Sequence, residues 1–170
     1  MISPELGQLL SVARTVLLQD SEWSTMNSIP EAASVRTLPA AGPVDYLEFL
    51  RTADGSIFGR ISVFDARNIG KMQFYADPVE GVPVQLNREE WFSFGKVNED
   101  PLFIRRDDNS IWGFPDAGVI WWQSDRFERF ADDLESFLTC YVFGDRYLSF
   151  VQGDNNDQWW RFLRQLGRIV

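Results

Sequence analysis

The residues best equipped for chemistry in this chain are its carboxylates, and several come in pairs: Glu89-Glu90, Glu99-Asp100, Asp107-Asp108 and Asp132-Asp133. Two carboxylates can divide into general acid and general base when their environments push their pKa values apart. Neighbours on a strand, however, point to opposite faces, and those in turns usually face water. Asp132 and Asp133 also stand where a helix start would use an acidic cap. Asp107-Asp108-Asn109-Ser110 begins like a calcium loop, but the glycine at the sixth position and the glutamate at the twelfth are missing. No catalytic residue and no metal site is expected from these pairs.

The rest of the inventory narrows the chemistry further. The chain has no histidine and one cysteine, Cys140. Ser-His-Asp and Cys-His pairs, an imidazole base and His/Cys zinc sets are therefore excluded. Cys140 lies in the apolar run FLTCYVF, where a cysteine packs as a small hydrophobe. No glycine-rich phosphate loop or nucleophile elbow is present, and no cofactor is expected. A single cysteine cannot form an internal disulfide, which agrees with a reducing compartment. The first residues, MISPELGQLL, carry neither a basic stretch nor a long apolar run. A cytoplasmic protein without a membrane partner is expected.

Charge and aromatic content point toward binding. The net charge is −9. Residues 89–135 hold 12 acidic and 5 basic side chains, a balance of −7. Such acidity opposes binding to nucleic acid phosphates, which requires Lys and Arg, and suits a basic protein partner. Solubility alone also accounts for a net charge away from zero. Aromatic residues make up 15% of the chain, and each ring removes about 150–250 Å² from water when buried. The pairs Trp121-Trp122 and Trp159-Trp160 are the most distinctive. A strand over residues 119–123 would place one ring of the first pair on each face. A helix would turn the second pair about 100° apart. The candidate partner-binding residues are Glu99, Asp100, Asp107, Asp108 and Asp116 on acidic turns, with Trp122 and Trp160 as aromatic anchors; packing of all four tryptophans inside remains the alternative.

The elements that must position these residues follow from periodicity. Ser3-Pro4-Glu5 opens a helix with a cap, a proline at the first position and an acidic first turn. Its apolar spacing runs to about Leu18. Residues 20–39 read as a loop with one helical turn, with Trp23, Met26 and Ile29 as anchors. Tyr46, Phe49, Leu50 and Ala53 form one helix stripe, preceded by Pro43 and stopped by Gly55. One strand is expected next, with Ile57, Gly59, Ile61 and Val63 on one face. Residues 65–90 read as an irregular excursion over the sheet edge. Short apolar runs at 91–95, 102–106, 111–114 and 119–123, separated by turn residues at 98–101, 107–110 and 115–118, give a meander. Residues 126–130 supply a further short strand. Asp132 to Glu135 has capping-box spacing for a helix continuing through Tyr141. Residues 147–151 read as a strand or extended return. Residues 154–157 cap a last helix ending at Gly167. The expected fold is α+β, with a mainly antiparallel central sheet of about five or six strands flanked by N- and C-terminal helices, in a single domain over residues 1–170.

Several of these pieces resemble the SUKH superfamily, which joins fungal cell-wall-synthesis regulators and bacterial immunity proteins. Leu38-Pro39, followed after an insertion by Tyr46-Leu47-Glu48-Phe49-Leu50, resembles the family's "LP…Y..FL" helix. Asp54-Gly55 resembles its turn into the first strand. Trp91…Phe94-Gly95 and Asp100…Leu102-Phe103-Ile104 resemble its "W…G…GD.L…" strands, with Glu99 where glycine is common. Residues 131–138 resemble its "A.SF.EFL" helix, with Leu134 for the usual phenylalanine. The resemblance implies a non-enzymatic protein-binding module, an immunity protein that neutralises a polymorphic toxin, often a nuclease, by direct binding. The fungal members imply the alternative of a regulatory scaffold without a toxin partner. Self-association through an exposed sheet edge stays open.

Overall fold

The computed structural model of the chain describes residues 1–116 and 118–170. Helix α1, Pro4–Gln19, begins as expected: the Ser3 hydroxyl accepts from the Leu6 N–H at 3.2 Å, and Pro4 takes the first position, where no donor is required. Leu6, Leu10, Ala13 and Leu17 form its buried stripe. The following Ile2-Ser3 fastening is carboxylate work: the Ile2 N–H donates to Glu48 and the Ser3 N–H to Glu135, both at 2.9 Å. Asp20 caps the single turn α2, Ser21–Ser24, which buries Trp23. Ile29 is also buried, whereas Met26 is 64% exposed and anchors nothing.

Helix α3, Val44–Leu50, carries the stripe read from the sequence, and Tyr46, Phe49, Leu50 and Ala53 are all fully buried. The helix ends on Arg51, so Gly55 does not cap it. With φ +73, Gly55 instead makes the turn into the sheet.

Six strands form one antiparallel meander in chain order: β1 Ser56–Phe58, β2 Ile61–Val63, β3 Trp91–Val97, β4 Asp100–Arg105, β5 Ile111–Gly113 and β6 Glu128–Ala131. The single strand expected after Gly55 is a hairpin, β1 and β2, with Phe58 opposite Ile61. Gly59, at φ +64, occupies the first position of a two-residue loop, which permits the tight reversal. The reversal also changes the faces. Phe58, Ile61 and Val63 point into the core, while Ile57 is 45% exposed. Along the outer side of β1, Ser28 makes an isolated bridge to Ile57 and covers part of the edge.

Both faces of the sheet are covered, which is why β3 is buried along nearly its whole length. One face, with Phe92, Phe94, Leu102, Ile104 and Ile111, packs on α1, α3 and the C-terminal helices. Those helices are α5 Leu134–Phe137, continued by a π turn over Leu138–Val142, α6 Tyr147–Val151 and α7 Gln158–Gln165. Residues 147–151 are thus helical, because Tyr147 and Val151, four apart, fall on the same buried side. Cys140 in the π turn is only partly buried. The cap of α5 is Asp133, which accepts from the Ser136 N–H at 2.7 Å; it is one residue later than the capping-box spacing implied, and Glu135 serves Ser3 instead. Asp157 caps α7 by accepting from the Trp160 N–H.

The second face carries a smaller cluster. Trp91 and Phe103 meet Ala76, Leu86 and Phe114, with Tyr75, Trp112, Trp121 and Phe127 packed around them. Ala76 and Leu86 come from the stretch expected to wander over the sheet edge. It contains α4, Ile69–Met72, and a 3-10 turn over Gln73–Ala76. The Gln73 side chain is buried and pairs with both backbone groups of Ser93, which ties this cover to β3.

Candidate functional site

Segments distant in sequence meet at one end of the sheet and enclose a groove of about 1050 Å³, three of them supplying most of its lining. The first is the β3–β4 hairpin. Its two-residue loop, Asn98-Glu99, is closed by Val97 opposite Asp100, and Asn98 takes φ +52. Asparagine tolerates this left-handed conformation better than most residues. The second is the chain after β5, which supplies Phe114, Pro115, Val119, Ile120 and the tryptophan pair. The third is α6, which contributes Phe150 and Val151. The Asn98 amide donates to the Val151 carbonyl at 3.3 Å and joins the first segment to the third.

The groove is apolar inside and along one lip. Phe114, Phe130 and Phe150 line it, and four large side chains at its border remain open to solvent: Phe74 at 53%, Val119 at 42%, Ile120 at 48% and Trp122 at 47%. Contiguous apolar exposure of this kind marks interaction sites on otherwise polar surfaces.

The charges on the rim are not equivalent. Lys96 pairs with Glu99 at 3.3 Å and lies 5.9 Å from the centre of the Tyr75 ring. Burial works against the Lys96 charge, but the hydrogen bond to Glu99 and the Tyr75 hydroxyl outweigh it and raise the ammonium above its usual value. Arg60 pairs with Asp157 at 3.4 Å. Asp100 has no cation and no side-chain hydrogen-bond partner among the described residues. Burial, and then the charge of Glu99, push its carboxyl above the ordinary range.

Of the seven residues chosen from sequence, Glu99, Asp100 and Trp122 share this groove. Asp107 and Asp108 sit on the β4–β5 hairpin at the other end of β4, roughly 20 Å from Asp100 at about 3.3 Å per residue. There Asp107 pairs with Arg105 at 3.1 Å. Asp108 accepts from the Ser110 hydroxyl and N–H, and these bonds hold its carboxyl below the usual value. Asp116 turns away to Arg126 at 2.6 Å and Ser124 at 3.1 Å. The remaining part of the expected 115–118 hairpin, Ala117, lies outside the described residues. Trp160 is partly buried against the main core, and its indole N–H has no partner among the described residues.

Residues 119–123 are not a strand. Trp121–Gln123 is a 3-10 turn, held by Gln123 N–H to Ile120 O at 2.8 Å. The place beside β5 belongs to β6, so this run has no strand to pair with. Trp121 therefore packs beside Phe114 and Tyr75, with Trp122 edge-on to it at 5.7 Å. Phe74, Phe130 and Phe150 were not identifiable as site residues from sequence, because each belongs to an apolar pattern that also suits a core. The carboxylate pairs are each tied to cations or caps, and Glu89-Glu90 and Asp107-Asp108 meet at Arg105, which lies 3.4 Å from Glu90 and 3.1 Å from Asp107. Asp132 pairs with Arg129, and Asp133 caps α5. Among the described residues, no three His, Cys, Asp or Glu are grouped to hold a metal, and no helix is long and apolar enough to cross a membrane.

No family model matches the chain, and a search of curated proteins finds no similar sequence.

Proposed function

We propose that this chain is a non-enzymatic protein-binding module of the immunity type, which neutralises a cognate toxin by occluding a basic domain of it in the cytoplasm. The observation that carries this reading is the groove: four large apolar side chains, 42–53% exposed, stand beside a carboxylate, Asp100, that has no cation partner among the described residues. Aromatic anchors with a charged rim are how interfaces concentrate their energy. The net charge of −9 adds long-range attraction for a basic partner. The SUKH-like pieces of sequence point the same way.

The test is binding to the product of a toxin gene adjacent to this one, with the association rate measured at rising salt. Complementary charge acts chiefly on that rate, which should fall steeply as salt screens it. A salt-insensitive rate contradicts electrostatic steering. An isolated gene with no toxin neighbour favours the regulatory scaffold.

A further inference from the structure

The groove also has a chemical polarity that specifies more than "a protein". Its two cations are already matched, Lys96 by Glu99 at 3.3 Å and Arg60 by Asp157 at 3.4 Å. Asp100 is left as the charge in the groove without a cation among the described residues, within a mainly apolar lining. A half-buried carboxylate without a partner is costly, and an incoming cation removes that cost. The volume, about 1050 Å³, is at the top of the range of roughly 300–1,000 Å³ for small-molecule pockets. Phe74, Val119, Ile120 and Trp122 belong to its lining and stay 42–53% exposed, so covering all four together takes an extended occupant. A chain segment would cover them.

We infer that the groove receives a short segment of the partner protein that inserts an aliphatic or aromatic side chain between Trp122 and Phe150 and places a Lys or Arg against Asp100. This assignment rests on the protein-binding reading and deepens it: it selects the β3–β4 end of the sheet over the Asp107-Asp108 hairpin, and it fixes the order of apolar and cationic groups in the segment. Glu99 stays engaged with Lys96 and serves as the outer wall. The Asn98 loop, tied to α6, keeps Asp100 in place before the segment arrives.

The experiment is an NMR titration of the full chain with blocked tetrapeptides. The probes are acetyl-Leu-Phe-Arg-Lys-amide, its charge-reversed form acetyl-Leu-Phe-Glu-Glu-amide, and acetyl-Gly-Ser-Arg-Lys-amide, which keeps the charge without the apolar part; hexylamine is the small-molecule control. The first peptide should move the Trp122 indole and Asp100 amide resonances and bind about fivefold more tightly than either other peptide, equivalent to roughly 1 kcal/mol. Asp100→Asn should abolish its advantage over the charge-reversed peptide. Equal binding of the three peptides, or shifts centred away from Trp122 and Asp100, would overturn the assignment. So would hexylamine binding as tightly as the first peptide, which makes the groove a small amine site. Charge reversal in the peptide needs no protein variant, so the result does not depend on a variant folding. With a cognate toxin in hand, a complex that leaves the Trp122 resonance unmoved overturns this assignment and leaves the protein-binding reading intact. The peptide result together with failure of every adjacent toxin candidate does the reverse.

Discussion

Gly59→Ala combines a backbone penalty with a packing clash. Gly59 has φ +64, and in that left-handed region an added Cβ costs about 1–2 kcal/mol. The methyl also has nowhere to go. It would meet the Tyr147 hydroxyl and lie 2.6 Å from the Trp159 Cβ. Both neighbours are held: the Tyr147 hydroxyl accepts from the Arg60 N–H at 3.1 Å, and the Trp159 indole donates to the Val142 carbonyl at 2.7 Å. Overpacking of a fixed site adds about 1–3 kcal/mol, so the total loss should be about 2–5 kcal/mol. The assay is equilibrium urea unfolding, with Gly81→Ala as the reference. Gly81 shares the left-handed conformation, at φ +83, but nothing lies within 4 Å of its would-be Cβ. Gly81→Ala should therefore lose only the backbone part. Equal losses for the two variants would refute the packing argument, because they would leave nothing for Tyr147 and Trp159 to contribute.

Three further outcomes follow from polar groups that are wholly or partly buried. Tyr46→Phe removes the hydroxyl that donates to the Phe64 carbonyl at 2.5 Å and should cost about 1–2 kcal/mol by denaturant unfolding. Asn27→Ala should lower stability by about 1–3 kcal/mol, since it leaves the Gly59 N–H, bonded to Asn27 at 2.7 Å, without a partner. Asp100→Asn should do the opposite. The folded-state pKa of Asp100 is raised by burial and by Glu99, so the ionised form is a cost that is complete above the folded pKa and disappears as pH falls below the ordinary carboxylate value of about 3.9. Because the group is partly solvated, the gain at pH 7 should be less than about 1 kcal/mol, and melting curves of the two proteins should converge in acid.

Helix α3 was legible because its apolar spacing and its burial obey one rule: Tyr46, Phe49 and Leu50, with Ala53 just past its end, all reach the core. The caps Ser3 and Asp157 were legible for a similar reason, as their chemistry is local. The β1–β2 hairpin was hidden because Gly59-Arg60 interrupts an alternation that reads equally well as one strand. The second face of the sheet was hidden because its cover comes from irregular chain, where Ala76 and Leu86 have no period to betray them. The tryptophan pair was misread for a tertiary reason. Gly-Val-Ile-Trp-Trp-Gln has strand composition, but β6 takes the pairing position that such a strand would need. The groove could not be read at all from any one stretch. It exists only where the Asn98 turn, the segment after Pro115 and the last turn of α6 come together. Trp122 and Asp100 were found by residue type, and their shared place was found only in three dimensions.

The central claim is that the groove face binds and neutralises a protein partner. Survival of cells co-expressing this chain with a toxin candidate from an adjacent gene, compared between wild type and Trp122→Ala, tests it most directly. Trp122 is 47% exposed, so its removal should leave the melting temperature nearly unchanged. Loss of an anchor should remove about 2 kcal/mol or more of binding. Wild type should rescue, and the folded variant should not. Equal rescue by both would contradict it.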